Sequence, residues 1–319
     1  MTFSIILPLF NKAPYVTRAV GSVLSQSFTD YELVIMDDGS TDDSYDVVAK
    51  AIGDRENCHL HRQQNAGVSM ARNNAVALSQ GDYLCFLDAD DWWNPDFLKE
   101  MSQLINDYPE AGIYGAGYTI VNETKKKTRV ASIGVAQGFE RGYINYCRVY
   151  ANGMYMPLWT GAVCIPRRVF DEMNGFKGQL KLGEDFDLWV RVALKYKVAL
   201  LNKPLSFYFQ DSDPKWRAVG RLQDPRHHML WNLGYLEDEE RNNPDYKHLI
   251  DNLRTFSLLP YYISKRYRED ARQELEKVDW STQPKKTRDL YNKPILYLTL
   301  RQYLLSVGSY VKLWIYKHL

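Results

Sequence analysis

Between Phe3 and Asp91 four short apolar runs alternate with helical patterns, and each run ends in a polar or acidic cluster. Three are clear, Phe3 to Leu9, Glu32 to Met36 and Tyr83 to Leu87, and the third in chain order, Cys58 to Arg62, is weaker. Runs of this length, bounded by turn residues, read as buried strands. After the first, Pro14 opens a helix whose apolar positions Val16, Ala19, Val20, Val23 and Leu24 recur at helical spacing. After the second, Asp37-Asp38-Gly39-Ser40-Thr41-Asp42 makes a turn and caps a helix reaching about Ile52. After the third, Asn65-Ala66-Gly67 precedes a helix through Ala71, Ala75 and Leu78. Links this short between consecutive strands imply right-handed crossovers. The expected fold is therefore α/β and Rossmann-like, with a mainly parallel sheet flanked by helices.

That architecture gives the polar clusters a common address. Asn11, Asp38, Asn65 and Asp88 each follow the carboxyl end of a strand, the edge at which open α/β sheets bind ligands. Any one of them alone reads as a cap or turn residue; together they line one crevice. The fourth run leads into Asp88, Asp90 and Asp91. Three carboxylates at the mouth of a buried strand repel one another unless a cation or a donor-rich ligand sits there. Mg²⁺ and similar hard cations take oxygen ligands, commonly few from protein and the rest from phosphates and water. Asp88-Ala89-Asp90 is short enough for both carboxylates to address one ion and its ligand. Asp91 reads instead as a cap for the helix expected to begin near Asn94-Pro95.

Beyond a helix over 94–106 the pattern changes. Ile113 to Asn122 and Thr128 to Ile133 read as a hairpin around Glu123-Thr124-Lys125-Lys126-Lys127, a solvated turn. Gly161 to Ile165 is a short apolar strand, and Arg167 to Asn174 a helix closed by Gly175. Leu182 to Trp189 opens a helix continuing to Tyr196, with Glu184, Asp185 and Asp187 in its first turn, where the helix dipole favours acids. Val198 to Leu201 and Leu205 to Phe209 are expected as two last short strands. From about Asp213 onward the segments are helical, charge-rich and broken by prolines, giving a division into residues 1–212 and a helical region, 213–319.

The 45% hydrophobic and 25% charged shares are those of an ordinary globular protein. A net charge of +1 gives no reason to expect a nucleic-acid partner. Cys58, Cys85, Cys147 and Cys164 lack metal-ligand spacing, and a reducing compartment fits them best. The apolar run at Phe3–Phe10 is too short for a signal peptide, and no run reaches the length of a membrane span. A cytoplasmic location, with peripheral contact at the inner membrane face, is the expectation.

Five ordered stretches resemble a known family: Ser4–Asn11, Asp37–Asp42, Asn65–Asn73, Leu87–Asp91 and Gly183–Trp189. Together they are similar to the family 2 glycosyltransferases of the GT-A fold, over about the first two-thirds of the chain. The resemblance implies a nucleotide-sugar donor, most often a uridine diphosphate sugar, with transfer to an acceptor hydroxyl by inversion. It implies that Pro8, Phe10 and Asn11 line the nucleotide pocket and that Asp38 accepts a hydrogen bond from the base. Arg72 and Glu184 face the donor, Asp88 lies near the ribose, and Asp90 ligates the divalent metal, Mn²⁺ or Mg²⁺, that holds the diphosphate. Asp185 is the general base. It also implies a saccharide or lipid-linked saccharide acceptor, in polysaccharide or glycolipid assembly. The chemistry is consistent: a cation offsets charge on a leaving diphosphate, and a carboxylate within hydrogen-bond reach activates a sugar hydroxyl.

Two departures stand out. Many relatives carry a histidine after the last strand, but Phe207-Tyr208-Phe209-Gln210-Asp211 has none, and His227-His228 comes later. The Gln-x-x-Arg-Trp motif and spans of processive synthases are also missing, which points to addition of single sugars. At the tail, Leu296, Leu300, Tyr303, Leu304, Val307, Val311, Trp314 and Ile315 follow helical spacing with Arg301, Lys312 and Lys317 among them. Such a helix packs on the rest of the protein or lies on a membrane surface. Alternative functions are a sugar-1-phosphate nucleotidyltransferase, whose glycine-rich loop Phe10 to Pro14 does not supply, and a non-catalytic nucleotide-sugar-binding protein.

Overall fold

Buried strands alternating with amphipathic helices organise the first part of the computed structural model, which describes residues 1–210 and 222–304. β1 (Phe3–Leu9), α1 (Ala13–Leu24), β2 (Tyr31–Asp37), α2 (Ser44–Ile52), β3 (Cys58–Arg62), α3 (Val68–Leu78) and β4 (Tyr83–Phe86) follow in the expected order. α1 buries Val16, Ala19, Val20 and Val23, the stripe its spacing announced. β1 pairs in parallel with β2 on one side and β4 on the other, and β2 pairs in parallel with β3. β1 is buried along its whole length, as a strand covered on both faces must be.

The second part of the sheet is mixed. β5 (Trp92–Trp93) is followed by α4 (Phe97–Asp107), β6 (Ala111–Asn122), β7 (Lys127–Val130), β8 (Arg141–Ile144) and α5 (Tyr146–Ala151). Next come β9 (Val163–Pro166), α6 (Arg167–Glu172), α7 (Glu184–Lys195) and β10 (Lys197–Phe209). The strand order is β3-β2-β1-β4-β9-β6-β10-β5, with β9 antiparallel to both neighbours and β10 parallel to β6. The hairpin around Glu123–Lys127 forms as β6 and β7. β10 is one strand rather than two. Its register against β6 shifts around Pro204, which has no N–H to donate, and the ladder resumes at Ser206. β8 pairs with its first half and β5 with its second.

Cys85 and Cys164 face each other across β4 and β9 with Cα atoms 4.6 Å apart and are joined as a disulfide, while Cys58 and Cys147 are free and buried. This corrects the reading of the cysteines as a wholly reduced set. Strand pairing brings together two residues 79 positions apart, which spacing alone does not reveal.

The helical region contains α8 (Glu237–Asn242), α9 (Pro244–Ser257), α10 (Leu259–Ile263), α11 (Arg268–Glu276) and α12 (Lys285–Tyr291). It is fastened to the sheet part at α5, where Asp245 accepts hydrogen bonds from Arg148 and Asn145 and Asn252 donates to the Ala151 carbonyl. The expected boundary at 212/213 lies outside the described residues. Residues 295–304 are helical, with Leu298 buried. On the expected stripe Leu296 is 81% exposed, and Leu300, Tyr303 and Leu304 are exposed as well. Val307, Val311, Lys312, Trp314, Ile315 and Lys317 lie outside the described residues.

Candidate active site at the carboxyl edge of the sheet

Three loops at the carboxyl edge are tied together before any ligand is considered. Asn11, in the left-handed region at φ 52°, donates its N–H to Ser40 Oγ, and its side-chain oxygen accepts from the Thr41 N–H at 2.8 Å. Asp38 is 3% exposed; Oδ1 accepts from the Ala66 N–H and Gln63 Nε2, and Oδ2 from the Gly67 N–H. A carboxylate has about four acceptor positions, so these three donors leave Oδ2 one more. Asn65 donates to the Asp38 carbonyl. Pro8 is buried in β1, and Phe10 is half-buried just beyond it.

α3 supplies the central cation. Arg72 is buried, and its guanidinium donates to Asp88 at 2.7 Å and to Glu184 at 3.2 Å, joining the end of β4 to the start of α7. These acidic partners hold the guanidinium fully charged against the cost of its burial. Burial, and then the adjacent Asp185, push the Glu184 carboxyl upward while Arg72 draws it down.

The three acids of the β4 loop have three different surroundings. Asp88 faces Arg72, and Asp90 receives the Lys12 ammonium at 2.5 Å from the loop before α1. Asp91 is 1% exposed and accepts the Phe209 N–H at 2.9 Å. Burial, with Asp90 and then Asp88 adding repulsion, pushes its carboxyl well above the usual range. Asp91 therefore does not cap a helix, contrary to the sequence reading. β5 intervenes, α4 starts only at Phe97, and the buried acid anchors the end of β10 instead.

Gly183 caps the start of α7; its φ of 81° is a conformation other residues rarely adopt, and a Cβ there would meet Met229 Sδ at 2.5 Å. Of the three acids in its first turn, Asp187 is fully buried and serves the framework, paired with Lys177 and Arg191 and accepting from the Tyr235 hydroxyl. Asp185 is half-buried; Oδ1 accepts from the Phe186 N–H at 2.7 Å and Oδ2 from Thr160 Oγ1 at 2.9 Å.

The structure thus gathers Asp88, Arg72 and Glu184 into one ion-paired chain, with Asp185 next to Glu184 and Asp90 two residues from Asp88. Lys12 and Thr160 were missed by sequence reasoning. Lys12 adjoins Asn11 and Thr160 adjoins the apolar run at Gly161, but only the fold gives either its partner. His227 and His228 are occupied elsewhere: His227 Nδ1 pairs with the Gln179 carbonyl, and His228 Nδ1 accepts from the Leu230 N–H. Among the described residues no group of three His, Cys, Asp or Glu side chains is arranged to hold a metal ion.

The family described as Glycosyl transferase family 2 matches residues 4–170. Over 198 residues the chain is 26% identical to WcaA of Escherichia coli, a protein assigned to colanic acid biosynthesis as a glycosyl transferase; this covers 60% of the chain and 66% of WcaA. It is 29% identical to the glycosyltransferase GlyA of Streptococcus pneumoniae over 249 residues, covering 73% of the chain and 35% of GlyA. The match therefore spans between about a third and about two-thirds of these relatives' own length. Among solved structures, S. aureus TarS 1-349 in complex with UDP-GlcNAc superposes with a TM-score of 0.70 at 20% identity, covering 87% of this chain and 79% of that one. That likeness is one of fold.

Proposed function

The chain belongs to glycosyl transferase family 2, and from that premise we propose that it transfers a sugar from a uridine diphosphate sugar to an acceptor hydroxyl with inversion at the anomeric carbon. The observation that carries this reading is the chain Asp88–Arg72–Glu184, which links the β4 acids to the start of α7, where Asp185 stands. Pro8 and Phe10 line the base pocket, Asn11 orders its loop, and the remaining acceptor position on Asp38 takes the base N–H. Arg72 and Asp88 hold the nucleotide. Asp185 takes the proton of the acceptor hydroxyl as it attacks, a role worth about two to four orders of magnitude in rate. Glu184, paired with Arg72, keeps Asp185 beside the donor.

The β4 loop fits a divalent cation of the Mn²⁺ or Mg²⁺ type by the chemistry of its oxygen donors, because such ions are commonly held by one or two carboxylates plus substrate phosphates. Asp90 would hold it, with Lys12 withdrawing from the carboxylate. Bound there, the ion would offset negative charge on the diphosphate leaving group. The acceptor we propose is a saccharide, free or lipid-linked, in polysaccharide assembly, with residues 1–212 as the catalytic unit.

Titration calorimetry of UDP with and without Mn²⁺, on the wild type and Asp90→Ala, tests the donor half of this reading. We expect Mn²⁺ to strengthen UDP binding to the wild type by about tenfold or more, and Asp90→Ala to lose that gain. Equal gains in both proteins would remove Asp90 from the metal.

We also propose a peripheral contact with the cytoplasmic membrane face through the tail. Among the described residues no helix is long and apolar enough to cross a membrane. The exposed stripe Leu296, Leu300, Tyr303 and Leu304 supports an interfacial helix instead. Sedimentation with anionic phosphatidylglycerol vesicles should fall when Leu296, Leu300 and Leu304 are changed together to Ser. Unchanged sedimentation would exclude the stripe.

A further inference from the structure

Asp185 does not stand on α7 alone. Its Oδ2 accepts a hydrogen bond from the Thr160 hydroxyl at 2.9 Å, and Thr160 itself is 3% exposed. Thr160 opens a single 3₁₀ turn, Thr160–Ala162, immediately before β9. The turn is clamped from the acidic side of the site: the Trp93 indole N–H donates to the Gly161 carbonyl at 2.6 Å. Trp93 is 2% exposed, stacks on Phe97, and follows Asp91 by two residues. A buried carbonyl held by a buried indole leaves the turn little freedom, so Thr160 Oγ1 is presented from a fixed point.

The carboxylate needs such a fixed point. The Phe186 N–H holds Oδ1 from within the helix, which alone leaves the plane of the carboxylate free to tilt. With Oδ2 held from the turn before β9 as well, both oxygens are fixed, and the unused lone pairs keep one direction. An acceptor hydroxyl reacts only when its proton meets a base within hydrogen-bond reach, and displacement of a reacting group by about 1 Å can cost on the order of 10²-fold in rate.

We infer that Thr160 is a positioning residue for transfer: its hydroxyl sets the orientation of the Asp185 carboxylate from a turn locked to the acidic loop by Trp93. The inference rests on the assignment of Asp185 as the base, and its test separates the two. Thr160→Val keeps the shape and removes the donor, Thr160→Ser keeps the donor, and Asp185→Asn serves as reference. Transfer is followed as UDP released from a panel of UDP-sugars offered with p-nitrophenyl glycosides, using the pair on which the wild type is fastest. Thr160→Val should lower kcat by about tenfold or more, with KM for the UDP-sugar, UDP affinity and melting temperature close to wild type. Thr160→Ser should restore most of kcat. The inference is overturned if Thr160→Val is as active as wild type while Asp185→Asn is inactive, or if Thr160→Val loses UDP affinity and stability in step with rate and Thr160→Ser does not recover them. An active Asp185→Asn would instead remove the base assignment, and the inference with it.

Discussion

Arg72 and Arg254 are both buried, and each draws acidic side chains from more than one element onto a single guanidinium. Arg254, on α9, donates to Glu240 of α8 at 2.5 Å and to Glu274 of α11 at 3.3 Å, with Asp251 at 3.5 Å. Lys247 adds a second cation, 2.6 Å from Asp251. Among its acids Asp251 is 1%, Glu274 8% and Glu240 16% exposed at the side chain. Around Arg72 Glu184 is likewise 16% exposed, but Asp88, at the carboxyl edge of β4, keeps 29%. The same chemistry joins three helices around Arg254; around Arg72 it leaves one acid, Asp88, open to solvent. The exposure of Asp88, more than ion pairing, separates the two clusters.

The sharpest break of this comparison is removal of each arginine in turn. Arg254→Met leaves buried carboxylates without their partner and should cost about 3–5 kcal/mol of stability, read by urea denaturation, with UDP binding by the remaining folded protein unchanged. Arg72→Met should cost less stability, because water reaches Asp88, yet lose UDP affinity by at least about tenfold. If both changes act on stability alone, the contrast between the clusters is lost.

A smaller effect comes from the seam between the two regions. The backbone of His227 and Met229 bonds that of Lys181 and Leu182, immediately before α7. His228 is buried there, and burial lowers its pKa from 6.5 to about 4. A base whose folded pKa is lowered stays neutral in the native state while the unfolded chain takes up its proton. Stability from this group is therefore full above about pH 6.5 and is lost as pH falls toward 4, by on the order of 3 kcal/mol in total. His228→Asn, which keeps an acceptor for the Leu230 N–H, should flatten the stability–pH curve in that window. A curve of unchanged slope would assign the acid sensitivity to other groups.

What the sequence disclosed follows from where the signals are local. β1, β2 and β4, the helices between them and the acids beyond them are read from period and punctuation within a few residues. Trp92–Trp93 is too short a strand to announce itself, and Arg141–Ile144 carries no apolar run. Pro204 divides β10 in sequence, while pairing with β6 joins it in space. Asp91 was misread because β5, not a helix, follows it. Thr160 and Lys12 were out of reach for a related reason: their acidic partners lie 25 and 78 positions away, and only the tertiary fold brings each pair together.

The central claim is that the open cluster does chemistry, with Asp185 as the base, and one variant tests it most directly. Asp185→Asn keeps the shape of the side chain, an oxygen for the Phe186 N–H and an N–H that the Thr160 hydroxyl can accept, while removing basicity. Melting temperature, UDP affinity and sugar transfer are measured on the same preparation. The account predicts a fold and a UDP affinity close to wild type, with transfer reduced by about 10² or more. A protein that transfers at the wild-type rate and is only slightly destabilised, by about 0.3–1 kcal/mol as for an acid lost from a helix N-terminus, would contradict it.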